Sequence, residues 1–268
     1  MSSKNTTAPT PLFDTLDHLA ECLAGKELHP DSKQALEFLY SYRGSEATFN
    51  SYRRELERFL QWLNLIEKKT LAALGPLDVE NYLGFCQNPP LNWIGQKQVA
   101  RFITQEGQRI PNPEWRPFVA TVSKTAARQG QKPDPSHYQL SQKAIQAIFS
   151  VLGSFFNFLI DQNYLNQNPV ARIRQKSKFI RKQQGRAPVR RLSEFQWSYV
   201  IGTVESMAAS NPEHERSLFI MTALYAMYLR ISELTVSARW QPKMGDFAQD
   251  SEGNWWFTTV GKGNKERI

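Results

Sequence analysis

The sequence holds only two cysteines, Cys22 and Cys86, 64 positions apart and with no second Cys or His at ligand spacing. That argues against a disulfide framework and against a structural zinc site, so no metal is expected. Long apolar runs are missing too: the longest, Leu218 to Leu229, has 12 residues and includes Thr222. A membrane-spanning helix needs about 20. Met1 to Pro11 is polar and lacks the apolar core of a secretory signal. Together these absences predict a soluble, cytoplasmic protein. No GxxxxGK[ST] loop occurs, and no cofactor is expected. No Asp or Glu lies between Asp161 and Glu194, all four histidines precede Arg230, and no tyrosine follows Tyr228.

What is present is basic and apolar in separate places. The 268 residues carry 33 Lys+Arg against 25 Asp+Glu, a formal net charge of +8. Hydrophobic residues make up 41%, enough for a packed core and against a wholly disordered chain. Such a surplus of cations suits an acidic partner, a nucleic acid or an anionic membrane surface. Nine cations lie between 172 and 191 (Arg172, Arg174, Lys176, Lys178, Arg181, Lys182, Arg186, Arg190 and Arg191), which leaves −1 for all other residues. The basicity is therefore concentrated in one stretch, which reads as an interdomain linker. It has no bulky amphipathic face, which disfavours membrane insertion.

Periodicity divides the rest. Residues 1–30 are expected to be a largely disordered tail. Asp31 and Gln34 have capping-box spacing and predict a helix starting there. Phe49, Tyr52, Leu56, Phe59, Leu63 and Ile66 recur at steps of three and four, predicting a helix over about 45–66. A shorter helix is expected over 77–86. Residues 92–135 interleave aromatics with seven cations and carry +4; helices are expected around 95–106 and 114–129. Ile145, Ile148, Leu152, Phe155 and Leu159 predict a helix over 141–162. Past the linker, Ser193 and Gln196 have capping-box spacing again and open a helix to about 209. A second, largely buried helix is expected from 212 to about 229. Trp255 to Val260 reads as β structure ending in a Gly261–Asn264 turn. The boundaries expected are therefore 31–171, 172–191 and 192–268.

Two places carry chemistry. Arg230 follows a near-continuous apolar helix, with Glu233 three positions on. This reads either as a structural Arg–Glu pair at a helix terminus, or as an arginine fixed to grip a phosphate through its planar fork. Gly261 to Arg267 sets three cations around a glycine-rich turn. It reads as a solvated hairpin, or as one whose lysine reaches into a DNA groove.

In combination, "YLRISEL" (Tyr228–Leu234) and "GKGNKER" (Gly261–Arg267) resemble the arginine box and β-hairpin lysine of the tyrosine recombinase (phage integrase) family. "TFNSYRRELERFLQWL" (Thr48–Leu63) resembles its DNA-clamping helix, "YLNQNPV" (Tyr164–Val170) the end of its core-binding domain, and "LSEFQW" (Leu192–Trp197) the start of its catalytic one. The resemblance implies a mainly α protein. A helical, SAM-like core-binding domain would be followed by the first part of an α+β catalytic domain. It implies that Arg230 contacts the scissile phosphate, that Lys262 is the general acid protonating the 5′-oxygen, and that Glu233 supports the arginine. Arg53, Arg54, Arg172, Arg174, Lys176, Lys178, Arg181, Lys182, Lys265 and Arg267 are the DNA contacts expected, with the cations of 97–132 as further candidates. Partners implied are duplex DNA and other protomers, in a tetramer on paired sites, acting on the cytoplasmic nucleoid. The family's His-x-x-Arg box and nucleophilic tyrosine have no counterpart here. The chain is accordingly expected to be a fragment or truncated form competent for DNA binding only, or a non-catalytic DNA-binding module or regulator derived from a recombinase.

Overall fold

The computed structural model describes residues 8–19, 29–174, 191–236, 240–261 and 265–268. The chain divides into two compact units, residues 1–184 and 185–268. It is mainly α-helical, with four two-stranded sheets among the described residues.

In the first unit the periodic stripes become the core. Helix α1 (Pro30–Ser41) is capped by His29 rather than by Asp31. Asp31 turns inward instead, where its carboxylate accepts hydrogen bonds from the Leu71 amide (2.9 Å) and the Tyr164 hydroxyl (2.6 Å). Helix α2 (Glu46–Trp62) continues through a π turn (Leu63–Glu67), which ends at Lys68 in the left-handed region, φ 55°. Phe49, Leu56, Phe59 and Leu63 are buried, as their spacing predicts. Helix α3 (Pro76–Gln87) starts on a proline that needs no amide partner there.

Two more helices follow α4 (Lys124–Arg128), namely α5 (Gln142–Asp161) and α6 (Pro169–Arg174). By length and composition α5 could cross a bilayer, but eight of its residues are buried within the fold. Its rings close the core: Phe155 lies 5.2 Å from Phe38, and Phe156 meets Phe59 edge-on at 5.9 Å. Such aromatic pairs add about 0.5–1.5 kcal/mol each beyond area burial.

Two further expectations fail in this unit. Residues 94–119 are not helical. Strand β1 (Ile94–Gly95) pairs in parallel with β4 (Phe118–Val119), and β2 (Phe102–Gln105) forms a hairpin with β3 (Gln108–Pro111). Glu106 and Gly107 make the turn, both at positive φ (51° and 76°), which is how a two-residue loop matches the twist of its strands. Prolines at 111, 113 and 117 deny the segment helix donors, and helix is confined to α4. The expectation of a largely disordered tail fails for residues 8–19. Phe13 and Leu19 are buried, the Leu12 and Phe13 amides donate to Glu57, and Arg109 forms an ion pair with Asp14. These partners lie 44 to 95 positions away, beyond any local pattern.

In the second unit, α7 (Glu194–Ser210) carries the expected capping box, with Gln196 N–H donating to Ser193 Oγ and Ser193 N–H to Gln196 Oε1. A 3-10 turn (Pro212–His214) leads into α8 (Glu215–Ala226). Trp197 stacks on Tyr225 at 4.1 Å. The expected burial of the second helix is not found: only Ala223 of α8 is buried, while Phe219 and Tyr225 are exposed. The apolar run signals helix, but burial needs a covering layer, and no described residues of this unit supply one on that face. Helix α9 (Ile231–Leu234) is followed by the hairpin β5 (Phe247–Gln249) and β6 (Trp255–Phe257), and by β7 (Thr259–Val260) paired antiparallel with β8 (Glu266–Arg267). Asp250 organises the first of these turns. It accepts from the Trp256 indole (2.7 Å) and the Asn254 and Glu252 amides, which hold its carboxyl down at about 2.

Candidate DNA-binding and catalytic residues

The second unit builds its site around one carboxylate. Tyr228, at φ 52°, breaks the backbone after α8, and Arg230 becomes the residue preceding α9. Glu233 Oε2 accepts the Arg230 amide at 2.7 Å, and Oε1 accepts the Arg230 guanidinium at 2.9 Å. Arg267, arriving on β8, donates to the same carboxylate. Glu233 is 1% exposed, whereas the Arg230 side chain is 62% exposed. One edge of the guanidinium is thus fixed, and much of the side chain remains open to a ligand. The Glu233 carbonyl accepts from the Trp240 indole (3.0 Å), tying α9 to the segment that follows it. A Cβ at Gly261 would lie 3.2 Å from Glu233 Oε1, so the hairpin approaches the carboxylate closely at a residue without a side chain.

Burial acts to raise the Glu233 pKa, but the Arg230 amide and guanidinium and the Arg267 charge outweigh it and hold the carboxyl below its ordinary 4.5. A depressed carboxyl contributes stability that is fully present above the unfolded value and is lost as pH falls through the folded one. The second unit is therefore expected to weaken below about pH 4.5, with Glu233→Gln removing that part of the pH dependence. Thermal melts of both proteins across pH 3–6 (roughly the carboxylate range) check this; superimposable profiles would refute it.

Of the other expected site residues, Lys262 lies outside the described residues, next to Gly261 in sequence. Lys265 is exposed, and its carbonyl accepts the Gly261 amide at 2.8 Å. Arg267 is committed to Glu233 on one side. Lys176, Lys178, Arg181 and Lys182 also fall outside the described residues, while Arg172 and Arg174 lie on α6.

Arg53 and Arg54 separate. Arg53 is 7% exposed and donates to the Asp14 carbonyl and to Asn50 Oδ1 (2.7 Å). Burial, with Arg101 nearby, lowers its pKa to about 10. The expectation of a DNA contact at Arg53 is therefore corrected: its guanidinium is spent holding the N-terminal segment. Arg54 fits that expectation better, with a side chain 54% exposed and Nε on Glu55 at 3.0 Å. Sequence reasoning missed the buried acids Glu55 and Glu57. A signal existed: Arg53, Glu57 and the buried Leu60 fall at i, i+4 and i+7, one inward arc of α2.

Residues 33–104 match the family model for the phage integrase N-terminal SAM-like domain. Over those residues the chain is similar to the N-terminal SAM-like domain of phage integrases, which supports a place in the tyrosine recombinase family. Comparison with curated proteins finds no match, and comparison with solved structures finds none. The match runs from α1 through α3 into β2, so the integrase-like domain includes α2 with Arg54 on its surface. The Arg230–Glu233–Arg267 cluster lies outside the matched residues and rests on its own geometry.

Proposed function

We propose that this chain binds duplex DNA as the core-binding domain and leading catalytic segment of a site-specific recombinase. The observation that carries the reading is Arg230, anchored by the buried Glu233 yet open on its outer face. A planar guanidinium fixed in that way suits the non-bridging oxygens of a phosphodiester, where charge develops in the transition state. In the reaction of this family a tyrosine oxygen attacks the phosphorus. The bond to the 5′-oxygen breaks, and that oxygen takes a proton; Lys262 is the proposed donor. Lys265 and the basic 172–191 stretch are proposed backbone contacts. Assembly is proposed as a tetramer on paired sites, on nucleoid DNA in the cytoplasm.

The nucleophile is not among these residues, because no tyrosine follows Tyr228 and no His-x-x-Arg occurs. That observation favours a second reading for the 268 residues by themselves: a DNA-binding module that does not cut. A nicked suicide substrate tests it. The expected result is a retarded, salt-sensitive complex with no covalent adduct on denaturing gels; a covalent protein–DNA band would overturn it.

A further inference from the structure

The segment between β1 and β4, together with α2 and the start of α5, walls a cleft of 390 Å³ in the first unit. Arg54 and Arg58 enter it from α2, and Lys97, Arg101 and Arg116 from the strand segment; among the described residues Glu55 is the one carboxylate on its wall. We propose that this cleft grips a phosphodiester of duplex DNA, giving the strand segment a backbone contact of its own beside α2. The inference rests on the proposal that the chain binds DNA, and assigns a ligand to a part of the chain that this proposal leaves idle.

Three features support it. Charge is not balanced locally. Arg54 and Arg58 share Glu55 (3.0 and 2.9 Å), Arg101 is held by the buried Glu57 (2.9 Å), and Lys97 meets Glu114 (3.0 Å). Among the described residues Arg116 donates to the carbonyls of Pro113 and Trp115 and to no carboxylate. Two cations therefore remain in excess even when every one of those acids is counted. The positive end of α5 also opens here, since Ser141 and Ala144 line the cleft and Ser141 caps that 20-residue helix. Finally, the wall is rigid: the buried Arg58 sits 4.3 Å over the Phe118 ring and donates to the Pro117 carbonyl at 2.9 Å, holding the strand segment against α2. A ligand then costs little side-chain ordering.

Lys97→Ala/Arg116→Ala tests the proposal in the full chain. The Lys97–Glu114 pair is solvent-exposed and contributes little to folding. Binding to a fluorescent duplex is followed across salt concentrations. The slope of log affinity on log salt is expected to shallow by about 0.9 for each phosphate that the variant no longer neutralises. Lys97→Arg/Arg116→Lys should keep the wild-type slope. Thr121→Glu, which adds an acid at an exposed lining residue, covers the case in which the double variant misfolds, and should weaken binding. If wild type binds duplex while Lys97→Ala/Arg116→Ala (or Thr121→Glu, where the double variant misfolds) matches it in slope and affinity, the cleft is no phosphate site and the DNA-binding reading stands. If wild type fails to bind duplex, that reading falls and takes this inference with it.

Discussion

Replacing the nine cations of the 172–191 stretch by glutamine is expected to remove much of the salt dependence of duplex binding. The reason is in the sequence. Nine of twenty positions are Lys or Arg, and no acid lies between Asp161 and Glu194 to pair with them nearby. With no acid close to them in sequence, these cations are expected to replace the counterions of phosphates. If about half of them do so, the slope shallows by about four, and a loss of roughly 250-fold in affinity between 50 and 200 mM salt disappears. Glutamine is polar, uncharged and close to Lys and Arg in helix propensity, so the packed units should be unaffected. A titration at four or five salt concentrations (roughly spanning the physiological value) reads this directly. An unchanged slope would move the electrostatic contact onto other residues and away from this stretch.

Glu57→Ala is expected to destabilise the first unit by about 2–4 kcal/mol. Glu57 is fully buried and accepts from the Leu12 amide (2.6 Å), the Phe13 amide (3.1 Å) and Arg101 Nε (2.9 Å). Burial pushes its carboxyl above the ordinary range despite Arg101 and the two amide donors. Alanine leaves two amides and a guanidinium without that acceptor, and an uncompensated interior charge is the costly part. The Arg101 side chain keeps 18% exposure, which holds the cost below that of a fully enclosed pair. Urea unfolding gives the magnitude. Limited proteolysis gives the location, since residues 8–19 should be released first. A variant within about 1 kcal/mol of wild type, with the N-terminal segment still protected, would contradict this role.

The same contacts show where sequence reading stops. The stripe from Phe49 to Leu63 and the run from Ile145 to Leu159 mark α2 and α5 because helix periodicity is local. The Ser193–Gln196 cap is equally legible, since both partners lie within one turn. Asp31 misleads because its spacing to Gln34 looks like a cap, while its real partners, Leu71 and Tyr164, are 40 and 133 positions away. The hairpin at Glu106–Gly107 lacks the alternating pattern that marks strands, because its residues are at most half-buried. At the site, the Arg230–Glu233 pairing follows from an i, i+3 spacing. The second arginine on Glu233 does not. Arg267 reaches it across 34 positions through the β7–β8 pairing, and its place in a basic turn suggests a DNA contact only.

Equilibrium binding of the full chain to a fluorescent duplex, across salt and against a single strand of equal length, bears most directly on the DNA-binding reading. The expected result is duplex binding that weakens steeply with salt, with duplex preferred over single strand. Equal affinity for duplex and single strand, or binding indifferent to salt, would contradict it.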